Sequence, residues 1–172
     1  MDAAPPGLPV QDSACPVPPE QRPLEEYRQL QRSWFFAWPD AGAQALGRAL
    51  ALSWLLAFPL CTLVAGGSYS LRQDPPRLVL AGATAALLLP LLLLARQGLG
   101  WSYVCRRLRA ERVEYEESGW YDGQVWEKPI AWRQQDLLVA RLQVEPVLQR
   151  LRRGATLAAL LLLAGAGLCQ AL

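Results

Sequence analysis

The chain has 172 residues, of which 52% are hydrophobic, with four cysteines, no histidine and a formal net charge of +2. Without histidine there is no Ser-His-Asp or Cys-His catalysis, no haem ligation by histidine and no route to most zinc sites; nor does anything resemble a nucleic-acid-binding module. The runs Ala49 to Leu71, Leu78 to Ala95 and Ala155 to Leu172 carry no charged residue, and each has roughly the length of about 20 residues that a helix needs to cross a bilayer core.

Met1 to Glu20 lacks a positive start and an apolar centre, so no signal peptide is expected and the first span directs insertion itself. Residues 1–22 are rich in proline and are expected to be extended or disordered. Within them, Cys15, Pro16 and Pro18 form a CPVP motif that reads as part of an extended docking segment. Pro23 suits a first helical turn, Glu25 and Glu26 suit the positive end of the helix dipole, and Leu24, Tyr27, Leu30 and Trp34 recur at helical spacing. An amphipathic helix over 23–38 follows, lying along the bilayer surface or on the polar module. Its end carries Trp34, Phe35, Phe36 and Trp38, an interfacial aromatic group, and Asp40 is placed to cap the next helix.

The first membrane helix is expected over 41–71, with Pro59 inside it. A short loop, RQDPPR, makes an antiparallel hairpin with the second helix, 78–105, which contains Pro90 and continues beyond the membrane. Ala81, Gly82, Ala85 and Ala86 permit close helix approach. A polar module over 106–145 holds a β-hairpin at about 112–128. There Val113, Tyr115 and Glu117 alternate with Glu114 and Glu116, a second run spans Gln124 to Lys128, and Gly119 with Asp122-Gly123 supplies the turn. Pro129 opens a helix through Trp132, Leu137, Leu138 and Leu142, and Pro146 interrupts it and starts the third membrane helix, 146–172. The fold class is a mainly α membrane protein: three transmembrane helices, a small cytoplasmic or stromal α+β module and an amphipathic N-terminal helix.

With three spans, fifteen of the Lys and Arg residues fall on the side of the N-terminus and the polar module, and two, Arg72 and Arg77, on the other. The positive-inside rule then places the N-terminus in the cytoplasm or stroma and the C-terminus in the lumen or periplasm. Anionic headgroups account for many of the arginines, so membrane lipid is one expected partner.

Glu114, Glu116, Glu117 and Asp122 are the one concentration of carboxylates. They read either as a hard-cation site or as a solvated strand face, the commoner use of such charge. Tyr115, Trp120, Tyr121, Trp126 and Trp132 read either as a docking hot spot or as the core of a module with few aliphatics. The cysteines form no CxxC pair; Cys61 and Cys169 fall at similar helical depth. No catalytic residue, cofactor or metal site is expected. The candidate docking residues are Cys15, Pro16, Pro18, Tyr115, Glu116, Glu117, Trp120, Tyr121, Asp122 and Trp126.

Two stretches, CPVPPEQRPLEEYRQLQRSWFFAW from Cys15 to Trp38 and GWSYVCRRLRAERVEYEESGWYDGQVWEKP from Gly100 to Pro129, with VEPVLQRLRR from Val144 to Arg153, resemble one family. This is the cyanobacterial and plastid membrane-protein family known as hypothetical chloroplast reading frame thirty-six, called conserved in the green lineage and diatoms in plants. The resemblance implies a thylakoid or chloroplast membrane and a link to growth under low iron, and it carries no catalytic residues. The expected function is a non-enzymatic assembly or stabilising factor for a photosynthetic membrane-protein complex. The alternative is a small-solute or metal-handling membrane protein in iron homeostasis.

Overall fold

The structure is a computed structural model and describes residues 15–116 and 123–171. Helix α1, Pro23–Arg32, begins at proline with Glu25 and Glu26 in its first turn. It ends six residues before the expected Trp38, because the chain folds back through a turn that fixed donors hold in place. Gln97 Nε2 donates to the Phe35 carbonyl at 2.7 Å, Trp101 Nε1 to Phe36 at 3.2 Å, and Arg150 Nη1 to Pro39 at 2.8 Å. The rings of Trp34, Phe35, Phe36 and Trp38 meet edge to face along this turn.

Helix α2, Ala43–Ala65, is capped by Gly42 at φ 123°, a conformation that suits only glycine, and not by the side chain of Asp40. Asp40 instead accepts from Gln31 Nε2 at 3.0 Å. The helix runs unbroken past Pro59 and stops at Ala65, short of the expected Leu71; a separate turn of helix, α3, covers Tyr69–Arg72. Leu56 and Leu63, each 75% exposed, mark the outer surface of α2.

The second apolar rod is two helices in line: α4, Pro75–Ala86, with Asp74 accepting from the Arg77 N–H, and α5, Leu88–Arg109. The break at Leu87 has a local cause. Pro90 offers no N–H to the Ala86 carbonyl and its ring crowds that carbonyl, so the helix tightens there, with Leu87 N–H donating to Thr84 at 3.1 Å. Helices α2 and α4 pack so closely that a Cβ on Gly82 would sit 2.8 Å from Thr62 Cα.

Strands β1, Arg112–Glu116, and β2, Gly123–Glu127, pair antiparallel with Val113 opposite Trp126 and Tyr115 opposite Gln124. The hairpin expected from alternation is therefore present. Helix α6, Ile130–Val139, passes through a π turn at Ala140–Val144 into α7, Glu145–Ala171. Pro146 was expected to separate two helices; the rod continues instead from residue 130 to 171. Asp136, Ala140 and Val144 are buried at every fourth position. That spacing overshoots the 3.6 residues of an α-turn, and the wider π turn keeps all three on one face.

Three rods, Ala43–Ala65, Pro75–Arg109 and Ile130–Ala171, include stretches long and apolar enough to cross a membrane. The core lies where they emerge: Trp101, Val104 and Leu108 of α5 meet Val144, Val147 and Leu151 of the third rod, with Tyr27 of α1 closing over them.

Candidate functional site

The segment from Cys15 to Arg22, expected to be extended or disordered, packs against the hairpin. Val17 is 2% exposed and joins Val113 and Tyr115, with Cys15 and Trp126 at the edge. Pro19–Gln21 forms a 3-10 turn, and Arg22 Nε donates back to the Val17 carbonyl at 3.2 Å while its guanidinium lies 5.7 Å from the centre of the Trp132 ring. An apolar valine among prolines thus anchors the segment by burial, and an arginine folds it over the module.

Beneath it, Lys128 is 2% exposed and surrounded by acceptors. Its Nζ donates to Asp136 Oδ2 at 2.6 Å and to the carbonyls of Arg107 and Leu108 at 2.9 and 3.2 Å. The ammonium satisfies carbonyls in the last turn of α5, where a cation also complements the helix dipole. One side chain from the hairpin's exit therefore ties the strands to α5 and α6. Removing either partner of such a buried pair would cost about 3–5 kcal/mol, since the other charge is left without compensation.

Arg107 is the second junction. It donates to Glu26 Oε1 at 2.6 Å, to Tyr103 Oη at 3.0 Å and to the Gln21 carbonyl at 2.8 Å, joining α5, α1 and the N-terminal segment. Burial pushes the Glu26 carboxyl above its ordinary value of 4.5, and the Arg107 charge opposes that rise. Burial likewise raises the Tyr27 phenol, with the Asp40 charge adding to the effect. Arg109 pairs with Glu145 across the two long rods, and Arg133 reaches Glu127 and the Lys128 carbonyl.

These junctions enclose a cleft of about 480 Å³ between the N-terminal segment and the hairpin, with Cys15, Val17, Arg22, Arg28, Trp126 and Trp132 on its walls and Lys128 with Asp136 at its base. The rings of Trp126 and Trp132 meet edge to face, centroids 5.5 Å apart. The cleft has aromatic walls and mixed charge.

Of the expected docking residues, Cys15 and Trp126 are brought to this cleft, and Pro16 and Pro18 lie beside it in the anchored segment. Tyr115 is 5% exposed and donates its hydroxyl to Gln124 at 2.8 Å, so it serves the interior and not a docking surface. Glu116 ends β1. Glu117, Trp120, Tyr121 and Asp122 lie outside the described residues, and with them most of the carboxylate concentration. Glu114 is exposed on the outer face of β1. Among the described residues no three His, Cys, Asp or Glu side chains converge, and all four cysteines are free thiols.

Val17, Lys128 and Asp136 were not singled out from sequence. For Lys128 a signal existed: it shares strand parity with Gln124 and Trp126, so it continues the inward face, where a lysine needs a partner.

The sequence is similar to the uncharacterized protein ycf36 of Pyropia yezoensis, 35% identical over 82% of this chain and 86% of the relative. It is 38% identical to ycf36 of Cyanophora paradoxa over 88% and 94% of the two chains. It is also 38% identical to the protein of Arabidopsis thaliana named conserved in the green lineage and diatoms 27, chloroplastic, over 82% of this chain and 43% of that longer one. No solved structure matches. Residues 15–157, from the anchored segment through both junctions to the start of the third apolar run, match the family described as CGLD27-like, conserved in the green lineage and diatoms 27. The chain belongs to that family.

Proposed function

We propose that this chain is a multi-pass thylakoid membrane protein that, without catalysis of its own, helps to assemble or stabilise a photosynthetic membrane complex. The observation that carries the reading is the cleft above the membrane rods: a preformed site with the Trp126–Trp132 ring pair, Arg22 and Arg28 on its walls. Tryptophan and arginine are enriched at binding hot spots, and a site already ordered before binding loses less entropy on association. The three apolar rods and the chloroplastic name of one relative support the membrane. The surplus of arginines beside the module supports a cytoplasmic or stromal N-terminus and a lumenal or periplasmic C-terminus. On this reading, the low-iron link implied by the resemblance reflects a complex whose assembly falters when iron is scarce.

The test is affinity purification of the tagged protein from solubilised thylakoids. A photosynthetic complex should co-purify with the native chain and be lost in Trp132→Ala combined with Arg28→Glu, at unchanged membrane abundance. Recovery of the native chain as a lone monomer would reject the reading.

A further inference from the structure

A second concavity lies within the membrane half, away from the cleft. Helices α2 and α7 both pack on the α4–α5 rod and leave between them a groove of about 930 Å³. Gly47, Ala51 and Trp54 of α2 form one wall, Gly154, Ala158 and Leu161 of α7 the other, and Ala83 and Pro90 contribute to the floor. Arg150 and Arg153 form its mouth, at the end where the rods join the head.

We propose that this groove seats one anionic phosphoglycerolipid drawn from the bilayer, its acyl chain between α2 and α7 and its phosphodiester at Arg150 and Arg153. Depth argues for a lipid over a transmembrane helix or a second copy of the chain. The α2 wall runs from Ala43 to Trp54, which is about 17 Å of helical rise, close to half of the roughly 30 Å hydrocarbon core. At its foot the Trp54 indole stacks on Phe58 and donates to the Ala83 carbonyl at 3.0 Å, bridging to α4. Beyond Trp54 only the α7 wall continues, to Leu168, so the groove is walled on both sides over the leaflet next to the head alone, whereas a crossing helix needs a two-sided face along the full thickness.

Charge argues for an anionic headgroup. The walls and floor are almost wholly apolar, and both charged residues lining the groove are arginines at one end. Arg150 uses Nη1 for the Pro39 and Asp40 carbonyls, leaving Nη2 and Nε as donors. Arg153 is exposed; its carbonyl accepts from Thr156, and its guanidinium has no partner among the described residues. Guanidinium forks match phosphate oxygens. Arg152, its neighbour in sequence, lines a different cleft with Arg109 and Glu145, which supplies an internal control.

The experiment is native mass spectrometry of the full chain reconstituted in vesicles of equal phosphatidylglycerol and phosphatidylcholine, then released into detergent. One phosphatidylglycerol per chain is expected to remain bound in preference to phosphatidylcholine. Arg153→Gln should lower its retention about tenfold, the change expected for one charge-assisted hydrogen bond, and Arg152→Gln should leave it unchanged. A Cβ at Gly47 meets nothing within 4 Å, so Gly47→Phe can place its ring in the groove, and it should abolish retention without loss of helix by circular dichroism. Equal retention of the two lipids, full retention by Gly47→Phe, equal losses in the two arginine variants, or a second copy of the chain in place of lipid would each overturn the proposal.

Discussion

The two halves of the molecule are held together by different physics. In the membrane half, α2 and α4 meet because Gly82 has no side chain to hold Thr62 away, and α7 meets α4 because Gly165 does the same for Thr84. In the head, the joints are polar and specific: Lys128 on three acceptors, Arg107 on Glu26, Tyr103 and the carbonyls of Gln21 and Glu114, and Gln97, Trp101 and Arg150 on the carbonyls of Phe35, Phe36 and Pro39 in one turn. In lipid, apolar surface gains little by leaving apolar surroundings, so shape and close approach must supply helix association. In the head, water competes for every polar group, so a buried joint persists only where each donor finds an acceptor.

The comparison can be broken most sharply at Lys128. Lys128→Met should destabilise the protein by about 3–5 kcal/mol, because Asp136 is left charged and buried, and the combined Lys128→Met, Asp136→Leu variant should recover most of the loss. Urea unfolding in detergent micelles, followed by tryptophan fluorescence, measures both. A double variant no better than the single one would show that the carbonyls at the end of α5 dominate over the ion pair.

In the membrane half, Gly82→Leu forces α2 away from α4 and should cost about 1–3 kcal/mol by overpacking. The same measurement should show that cost with the head's tryptophan environment intact; simultaneous loss of both signals would mean that the halves unfold as one unit. Val17→Ala should cost about 1–2 kcal/mol for the methyl groups removed, and the cost should be local. Limited proteolysis after Cys15 should accelerate while the helical signal stays constant.

The smallest effect concerns pH. The Glu26 carboxyl is raised above 4.5 by burial, against the pull of Arg107, so the folded chain binds its proton more tightly than the unfolded chain does. That contribution is fully present below pH 4.5 and is lost as pH rises through the raised value. Glu26→Gln should therefore show a flatter dependence of unfolding midpoint on pH over that window. Equal slopes would place the titration on another group.

What could be read from sequence divides along the same line. Apolar run length exposed all three rods, and alternation from Val113 to Glu116 exposed the hairpin, because both signals are local and periodic. Lys128 was harder. Its burial depends on carbonyls of Arg107 and Leu108 some twenty residues earlier, a pairing that no local pattern encodes. Val17 looked like one apolar residue in a proline tract, and its partner surface exists only after the hairpin forms. Pro146 suggested a break because proline removes a helical bond; a π turn just before it absorbs the defect, a choice set by the buried face on α5 and α1. The family resemblance located the head segments and the first turns of the third helix, and residues 15–157 carry the match.

The unbroken rod from Ile130 to Ala171 has a mechanical consequence. At 42 residues it measures about 63 Å, roughly twice the hydrocarbon thickness, and its upper third carries Trp132 and Asp136 of the cleft. Membrane helices adjust to bilayer thickness by tilting. Where these rods span a bilayer, a helix continuous through its π turn carries such a tilt to the head as a swing of the cleft over the membrane plane, so bilayer thickness becomes a coordinate that sets the height at which the cleft is presented.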